Sequence, residues 1–338
     1  MDALLASAVS LPADARDFRG KICLFAYFSS PHPLECVILI ISIDRRRGLF
    51  VEPVKRVLCI HDLSCVGRCS LSVIVPVLSA MGVQACPMPT ALMSTHTGGL
   101  GDPAVLHTES FCRNALRHWK ELDLHFDCIY SGYLANTASA ELVREAFAQN
   151  PQACKLVDPV LADHGSLYRA VTPELCETMR SLCRMADVIC PNVTESAVLL
   201  GMLPDDRPFS NMSELSERLT GLHTAFPQAK AVVITGVQLS NGIHANALLE
   251  KNGAPKLLPF APVAQQYPGT GDLFAAVLAG ALTTGLGACD SAELAANFVA
   301  KAAAETFSVH ADPRFGALFE PVLGYLTNQK KDDLSCQL

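Results

Sequence analysis

The most informative segment of the chain is Pro268-Gly269-Thr270-Gly271-Asp272, which runs into the apolar segment 273–282 with helical periodicity. The two glycines allow backbone N–H groups to approach an anion, and a helix behind them points its positive end at the same place. A carboxylate there would repel a phosphate, but it suits a base that takes a proton from a hydroxyl group attacking that phosphate. A helix start with Thr270 or Asp272 as N-cap is the alternative that these five residues leave open.

Composition excludes several classes of protein. With 338 residues, 50% of them apolar and 17% charged, the chain is globular and long enough for a sizeable core. A net charge of −7 argues against nucleic acid and anionic membranes as partners. The 14 cysteines are scattered without a C-x-x-C motif, which indicates reduced, structural thiols in a cytoplasmic protein.

Residues 1–54 differ from the rest and are interpreted as an N-terminal appendage. Their apolar run at 37–43 is far shorter than the roughly 20 residues of a membrane span. The start of the chain lacks a basic n-region and a clean cleavage site, so a secretory signal fits poorly.

From Arg56 onward, short apolar runs alternate with helical patterns. This alternation predicts an α/β fold with a doubly wound, mainly parallel sheet and helices on both faces, in one domain over 55–325 followed by a polar tail at 326–338. The strands are predicted at 57–60, 83–87, 128–130, 155–158, 188–190 and 231–235. The helices are predicted at 70–81, 109–122, 138–149, 173–185, 195–200 and 212–225, besides the one that begins near 270.

Polar or glycine-rich residues follow most of the predicted strands. In open α/β sheets, ligands bind at the carboxyl ends of the strands. A binding site at that edge is therefore expected to draw on His61-Asp62, Ser131-Gly132-Tyr133, Asp158, Pro191-Asn192 and Thr235-Gly236.

A hard cation could bind among these strand ends. Mg²⁺ is usually held by one or two carboxylates together with substrate phosphates and water. Asp163, five residues after Asp158, and Glu195, after the next strand, could supply those carboxylates directly or through water. Simple capping of turns and helices by Asp158 and Thr194 is the alternative reading.

Three further features have weaker implications. Thr235 and Gly236 could offer a hydroxyl and N–H groups to a nucleotide phosphate. The glycine-rich loop with His96 and Thr97 could form a lid or wall over a small molecule, or a flexible surface loop. His61 is interpreted as a satisfied histidine at a strand end rather than a ligand.

The absence of G-x-x-x-x-G-K-[ST] and of G-x-G-x-x-G after the first strand argues against P-loop and dinucleotide-binding proteins.

Taken together, these residues resemble the ribokinase-like superfamily and, within it, the pyridoxal/pyridoxamine kinase family. The resemblance runs from about Arg56 to about Asp312. The G-T-G-D motif followed by a helix is typical of the superfamily, and the loop and strand-end motifs indicate the vitamin B6 branch. The motifs that carry the resemblance are Ile60-His61-Asp62-Leu63-Ser64, Ser94-Thr95-His96-Thr97-Gly98-Gly99, Ser131-Gly132-Tyr133, Asp158-Pro159-Val160, Pro191-Asn192-Val193-Thr194-Glu195 and Gly269-Thr270-Gly271-Asp272-Leu273-Phe274.

The resemblance implies a role for each matching residue. Asp272 would be the base, and the N–H groups of Gly269, Thr270 and Gly271 would form an anion hole for the γ-phosphate. The other implied roles are ATP phosphate binding by Asp158, Asn192, Thr235 and Gly236, Mg²⁺ organisation by Asp163 and Glu195, and a pyridine pocket lined by Asp62, Thr97 and Tyr133.

The function so implied is ATP-dependent phosphorylation of the 5′-hydroxymethyl group of pyridoxal, pyridoxamine or pyridoxine by direct in-line transfer. The resemblance also implies Mg²⁺, leaves room for a monovalent cation such as K⁺, and suggests a homodimer. The alternatives are the same fold acting on hydroxymethylpyrimidine or a sugar, and a vitamin- or nucleotide-binding protein without turnover. An intact G-T-G-D motif argues against a pure binder, which gains nothing from a carboxylate facing phosphate.

Overall fold

A computed structural model describes residues 54–327 and two short strands before them, β1 (Lys21–Ile22) and β2 (Ile43–Asp44). Backbone contacts divide the chain into two units, 1–53 and 54–338. In the first unit, β1 pairs with β2 in antiparallel orientation. The rest of the predicted appendage and residues 328–338 of the predicted tail lie outside the described residues. Leu326, at the start of that tail, is buried. The domain division itself stays a prediction.

One sheet of nine strands organises the second unit. Its strands are β3 (Arg56–Ser64), β4 (Gln84–Met93), β5 (Val105–His107), β6 (Cys128–Ser131), β7 (Cys154–Val157), β10 (Val188–Ile189), β11 (Ala231–Gln238), β12 (His244–Glu250) and β13 (Lys256–Pro259). A separate hairpin contains β8 (Ala162–Asp163) and β9 (Ser166–Leu167).

The strands of the large sheet follow the order β13-β12-β11-β10-β7-β6-β3-β4-β5. The six central strands, from β11 to β4, are mutually parallel. The edge strands β5, β12 and β13 pair in antiparallel orientation. The prediction of a doubly wound, mainly parallel sheet is therefore confirmed.

Eight helices pack against the sheet in the described part of the chain. Side-chain caps begin several of them: Asn136, Thr172, Asn192 and Asn211 each accept a backbone N–H from the first turn. The helices are α1 (Leu71–Ala80), α2 (Glu109–Glu121), α3 (Thr137–Gln149), α4 (Pro173–Cys183), α5 (Val193–Leu199), α6 (Met212–Ala225), α7 (Thr270–Thr284) and α8 (Ala288–Ser308).

The core lies on both faces of the sheet. Successive residues of β3 alternate between the two faces: Val57 and Cys59 pack with α1, α7 and α8, whereas Leu58 and Ile60 pack with α2, α3, α4 and α6. All four are fully buried. Strands buried on both faces explain why the sequence shows continuous apolar runs rather than alternation.

The sequence did not lead to a prediction of the edge strand β5, the hairpins β8–β9 and β12–β13, or α8. The antiparallel hairpin β12–β13 extends one edge of the sheet, and α8, with 21 residues, covers one face beside α7. None of the described helices has the length and apolar character needed to cross a membrane.

Candidate active site

The carboxyl ends of the parallel strands bring the predicted site residues to one edge of the sheet. Asp62 lies near the end of β3, Tyr133 follows β6, Asp158 follows β7, and Asn192 follows β10. Asn192 also forms a parallel bridge to Thr235 of β11. The predicted site residues therefore do converge at this edge of the sheet, and α7 begins beside it.

Gly269 fixes the start of α7 because no other residue fits there. Its φ of +80° is in the left-handed region, and a Cβ atom on it would overlap the carbonyl oxygen of Arg68 in the β3–α1 loop. The first helical N–H groups, from Thr270 onward, have no acceptor within the helix and carry its positive dipole end. This geometry suits an anion.

Asp272 is in the first turn of α7, with its side chain only 13% exposed. Its Oδ2 accepts a hydrogen bond from the Ser70 backbone N–H at 2.7 Å, and its Oδ1 lies 3.1 Å from His61 Nε2. Asp272 therefore does not act as an N-cap, because its two contacts go to the β3–α1 region rather than to its own helix. The carboxylate is held from two sides and retains partial access to solvent.

His61 links the base candidate to a second carboxylate. Its Nδ1 lies 2.8 Å from Asp62 Oδ1, and its side chain is 2% exposed. Burial lowers the pKa of His61, but the charges and hydrogen bonds of Asp272 and Asp62 outweigh burial and raise this pKa to about 10. The reading of His61 as a satisfied strand-end histidine omitted this contact with Asp272.

Asp62 is buried behind His61 rather than open to a pocket. Its Oδ1 accepts from the Ser70 hydroxyl at 2.6 Å, and its Oδ2 accepts from the Ser64 hydroxyl at 3.3 Å. Burial raises the pKa of Asp62, but hydrogen bonds and the charge of His61 outweigh burial, and the pKa is lowered. Asp62 was predicted to line the substrate pocket, but its side chain is buried and does not reach an open surface.

Asp158 lies in the same electrostatic environment. Burial and the charge of Asp272 raise the pKa of Asp158 to about 7, although the charge of His61 lowers it. The hydroxyl groups of Tyr130 and Ser131, on the neighbouring strand, are buried without a hydrogen-bond partner in the described part of the chain. These unpaired polar groups and a carboxyl of raised pKa are features expected at a functional site.

Glu195 and Asn192 form a capping box at the start of α5. Asn192 Oδ1 accepts from the Glu195 N–H at 2.8 Å, and Glu195 Oε2 accepts from the Asn192 N–H at 2.8 Å. Glu195 Oε1 also accepts from the Leu161 N–H at 3.0 Å, and Asn192 Nδ2 donates to the Ala162 carbonyl oxygen. Burial and the charge of Asp158 raise the pKa of Glu195 well above its usual range.

Asp163 differs from Glu195 in exposure. It lies on β8, its side chain is 45% exposed, and its Oδ1 accepts from the His164 N–H at 2.9 Å. Among the described residues there is no cluster of three or more His, Cys, Asp or Glu side chains that could hold a metal ion without help. The oxygen donors present therefore fit only an ion that also takes ligands from substrate phosphates and water.

Thr235 and Gly236 do not end their strand, in contrast to the sequence-based expectation. The register of β11 against β12 shifts between Ile234 and Val237, so the two residues form a bulge and the strand continues to Gln238. Gly236 has φ +69° and donates its N–H to Asn246 Oδ1 at 3.1 Å. The bulge explains how the left-handed backbone of Gly236 can lie inside a continuous strand.

The loop 94–101 is anchored by His96. The His96 Nε2 donates to the Arg314 carbonyl oxygen at 2.7 Å, since its Nδ1 accepts from the Gly98 N–H, and its ring packs against Gly67. Thr97 beside it is exposed, and Tyr133 is half-buried near Asp62.

The C-terminal segment closes over the β3–α1 loop beside Gly269. The Arg68 N–H donates to the Phe315 carbonyl oxygen at 2.9 Å, and Arg68 Nε donates to both oxygens of Glu320 at 2.7 and 2.9 Å. The loop that carries Ser70 is therefore held both by α7 and by residues 314–320.

Comparison with known proteins places this geometry among small-molecule kinases. Residues 75–314 match the family model described as phosphomethylpyrimidine kinase. The structure of pyridoxal kinase from Lactobacillus plantarum is 33% identical, with a TM-score of 0.76, over 82% of this chain and 98% of that one. A Bacteroides thetaiotaomicron protein described as a candidate phosphomethylpyrimidine kinase, solved with pyridoxal, is 34% identical, with a TM-score of 0.74, over 81% of this chain and 96% of that one.

Curated relatives are more distant. The pyridoxal kinase of Arabidopsis thaliana is 26% identical over 213 residues, which cover 60% of this chain and 66% of that protein. The thiamine biosynthetic bifunctional enzyme TH1 of the same plant is 24% identical over 250 residues, which cover 74% of this chain but only 46% of that protein.

The close approach at Gly269 leads to a test with a matched pair of variants. Gly269→Ala should lower the free energy of unfolding by roughly 2 kcal/mol or more, because Ala strains the left-handed backbone and meets the Arg68 carbonyl. Gly271→Ala, two residues later, has nothing within 4 Å of the added Cβ and should be neutral or up to about 1 kcal/mol stabilising. Thermal unfolding of both variants measures this, and equal effects would contradict the account of Gly269.

Proposed function

The chain belongs to the phosphomethylpyrimidine kinase family and is a phosphotransferase with an alcohol acceptor, and we propose that it phosphorylates the 5′-hydroxymethyl group of a B6 vitamer with ATP. The observation that supports the proposal most is the Asp272 carboxylate at the glycine-rich start of α7, held by Ser70 N–H and His61. The likeness to a pyridoxal kinase and to a protein solved with pyridoxal, at 33% and 34% identity, favours a B6 acceptor.

In this proposal Asp272 takes the proton of the acceptor hydroxyl as its oxygen attacks the γ-phosphate. The carboxylate is 13% exposed, so a bound acceptor can reach it while most water is excluded. A fixed base and a fixed acceptor leave positioning as the main source of rate enhancement in phosphoryl transfer. Transfer is direct, so the proposal includes no phosphoenzyme.

The N–H groups of Gly269, Thr270 and Gly271 would stabilise the charge that develops on the γ-phosphate. Helix geometry leaves the first N–H groups of α7 without intrahelical acceptors, and the positive dipole end adds to their effect. Asp158 and Asn192, which follow their strands, are proposed to lie along the ATP phosphates together with Thr235 and Gly236 in the β11 bulge.

Asp163 and Glu195 are proposed to organise Mg²⁺. The half-exposed Asp163 can offer its carboxylate directly, whereas Glu195, which accepts three backbone N–H groups, would act by holding the segment 161–163 in place. A Mg²⁺ ion held there would supply positive charge to neutralise the phosphate oxygens of ATP. A requirement for K⁺ and a homodimeric state stay predictions.

The acceptor pocket is proposed to include Thr97 and Tyr133, with Asp62 behind them. A tyrosine ring and a hydroxyl suit a small aromatic heterocycle better than a polyhydroxylated sugar, which needs several Asp, Asn or Arg side chains. Hydroxymethylpyrimidine is the second candidate, because it has the size of pyridoxal and the matching family model is named for its phosphate.

The role of Asp272 can be tested by Asp272→Asn. Asn keeps the shape and can still accept from Ser70 N–H, but it cannot take a proton, so turnover should fall by about 10²–10⁴-fold. ATP binding, measured by calorimetry, should persist. Asp290→Asn, in the first turn of α8, is a matched control that should keep parental turnover. Near-normal turnover of Asp272→Asn would refute the assignment of the base.

The Mg²⁺ proposal makes different predictions for its two carboxylates. Asp163→Asn should raise the Mg²⁺ concentration that gives half-maximal rate without lowering the thermal unfolding midpoint, because its side chain is half-exposed. Glu195→Gln should change both quantities, since the Asn192 N–H loses a carboxylate acceptor inside the capping box. A parental Mg²⁺ dependence in Asp163→Asn would remove Asp163 from the site.

Acceptor choice is tested by steady-state kinetics of ADP release over B6 vitamers, hydroxymethylpyrimidine and ribose. Pyridoxal or pyridoxamine should have a kcat/KM at least about 10-fold above that of hydroxymethylpyrimidine, which is about 1.4 kcal/mol of transition-state binding. A higher kcat/KM with hydroxymethylpyrimidine or ribose would overturn the proposal of a B6 acceptor but not the proposal of kinase activity. No ADP release with any acceptor would favour a binding protein.

A further inference from the structure

His61 is a buried basic side chain between two carboxylates, and the reaction proposed above does not use it. Its two ring nitrogens face Asp62 on the same strand and Asp272 on α7, 211 residues away in sequence. In the part of the chain that the structure describes, no other basic side chain lies within ion-pair distance of either carboxylate. A Cβ on residue 132 would overlap the His61 ring, so the ring fits there only because this residue is Gly132.

The other titratable groups around this ring add no positive charge. They are Cys69 in the β3–α1 loop, Tyr130 on β6, Tyr133 after β6 and Asp158 after β7. Burial raises the pKa of Cys69, Tyr130 and Tyr133, so these three are neutral near pH 7 to 8. Two carboxylates then contact one imidazole, with Asp158 in the same electrostatic environment, and buried like charges are costly without a counter-charge.

The hydrogen bonds allow two charge states of the ring. Asp62 N–H lies 3.0 Å from Nδ1 and Tyr133 N–H lies 3.1 Å from Nε2, so a neutral ring could accept from one of them. A protonated ring gives up both of these contacts but donates to two carboxylates. Charge-assisted hydrogen bonds are roughly twice as strong as neutral ones, which favours the protonated ring, in line with the raised pKa of His61.

We propose that His61 is a positioning residue: as an imidazolium held by Asp62, it pairs with the Asp272 carboxylate and orients it at the start of α7. The proposal rests on the proposed function in so far as Asp272 is the base. It assigns to Asp62 an indirect role, because that carboxylate fixes the imidazolium and both its oxygens are engaged by His61, Ser70 and Ser64.

The pH dependence of the rate tests the proposal. His61→Gln keeps a side-chain amide near Asp272 but removes the positive charge, so a carboxylate base becomes harder to ionise. The acidic limb of the kcat/KM profile should move to higher pH by about 1 unit or more. At pH values below the midpoint of this limb, the kcat/KM of the variant should therefore be roughly tenfold lower than that of the parent. His223→Gln, the same change at a half-buried histidine on α6, should keep the parental profile.

The charge of His61 can also be read without turnover. In protein labelled with ¹⁵N-histidine, one of the 10 histidine rings should keep both nitrogens protonated up to about pH 9. That signal should vanish in His61→Gln. A parent in which every ring loses a proton below about pH 7.5 overturns the proposal, even if the variant fails to fold.

The two proposals fail in different ways. A folded His61→Gln protein with the parental acidic limb overturns the role of His61 and leaves the kinase function standing. A parent that releases no ADP with any acceptor overturns the proposed function, while the ¹⁵N spectra still decide whether the ring is charged.

Discussion

The site depends on one close approach, between Gly269 and the carbonyl oxygen of Arg68. Because Gly269 has no side chain and adopts a left-handed backbone, the start of α7 lies directly on the β3–α1 loop. That contact brings Asp272 within hydrogen-bond distance of Ser70 N–H and of His61. A single missing side chain thus sets the place of the carboxylate and of the N–H groups that begin the helix.

Much of the fold could be predicted from local patterns, because strands buried on both faces and amphipathic helices leave strong signals. The central strands and α1 to α6 lie close to where these patterns put them. The hairpin β12–β13 was missed although its signal is local. β12 pairs in antiparallel orientation with β11 and β13, its neighbours in sequence, and the two connections contain Asn241-Gly242 and Asn252-Gly253. The alanine-rich stretch of α8 has high helix propensity, but its burial face depends on contacts with α7 that the local sequence does not specify.

The site was predictable to the level of motifs but not of contacts. Strand-end polarity led to Asp158, Asn192 and Glu195, and the capping box was readable from the spacing of Asn192 and Glu195. The contact between His61 and Asp272 spans 211 residues, so no local pattern encodes it. An adjacent His-Asp pair after a buried strand was the available signal, and its meaning depended on what α7 would bring to it.

Residues 314–320, near the end of the described part of the chain, support the loop on which α7 rests. Arg68 binds Phe315 and Glu320, and His96 binds Arg314, so early and late segments meet beside Gly269. The ribosome synthesises a chain from its N-terminus at about 5–20 residues per second, so N-terminal segments can fold first. The sheet can therefore assemble while the chain is still growing, but the loop beside Asp272 gains its final support only after residues 314–320 emerge. This order makes full assembly of the site depend on the emergence of residues 314–320.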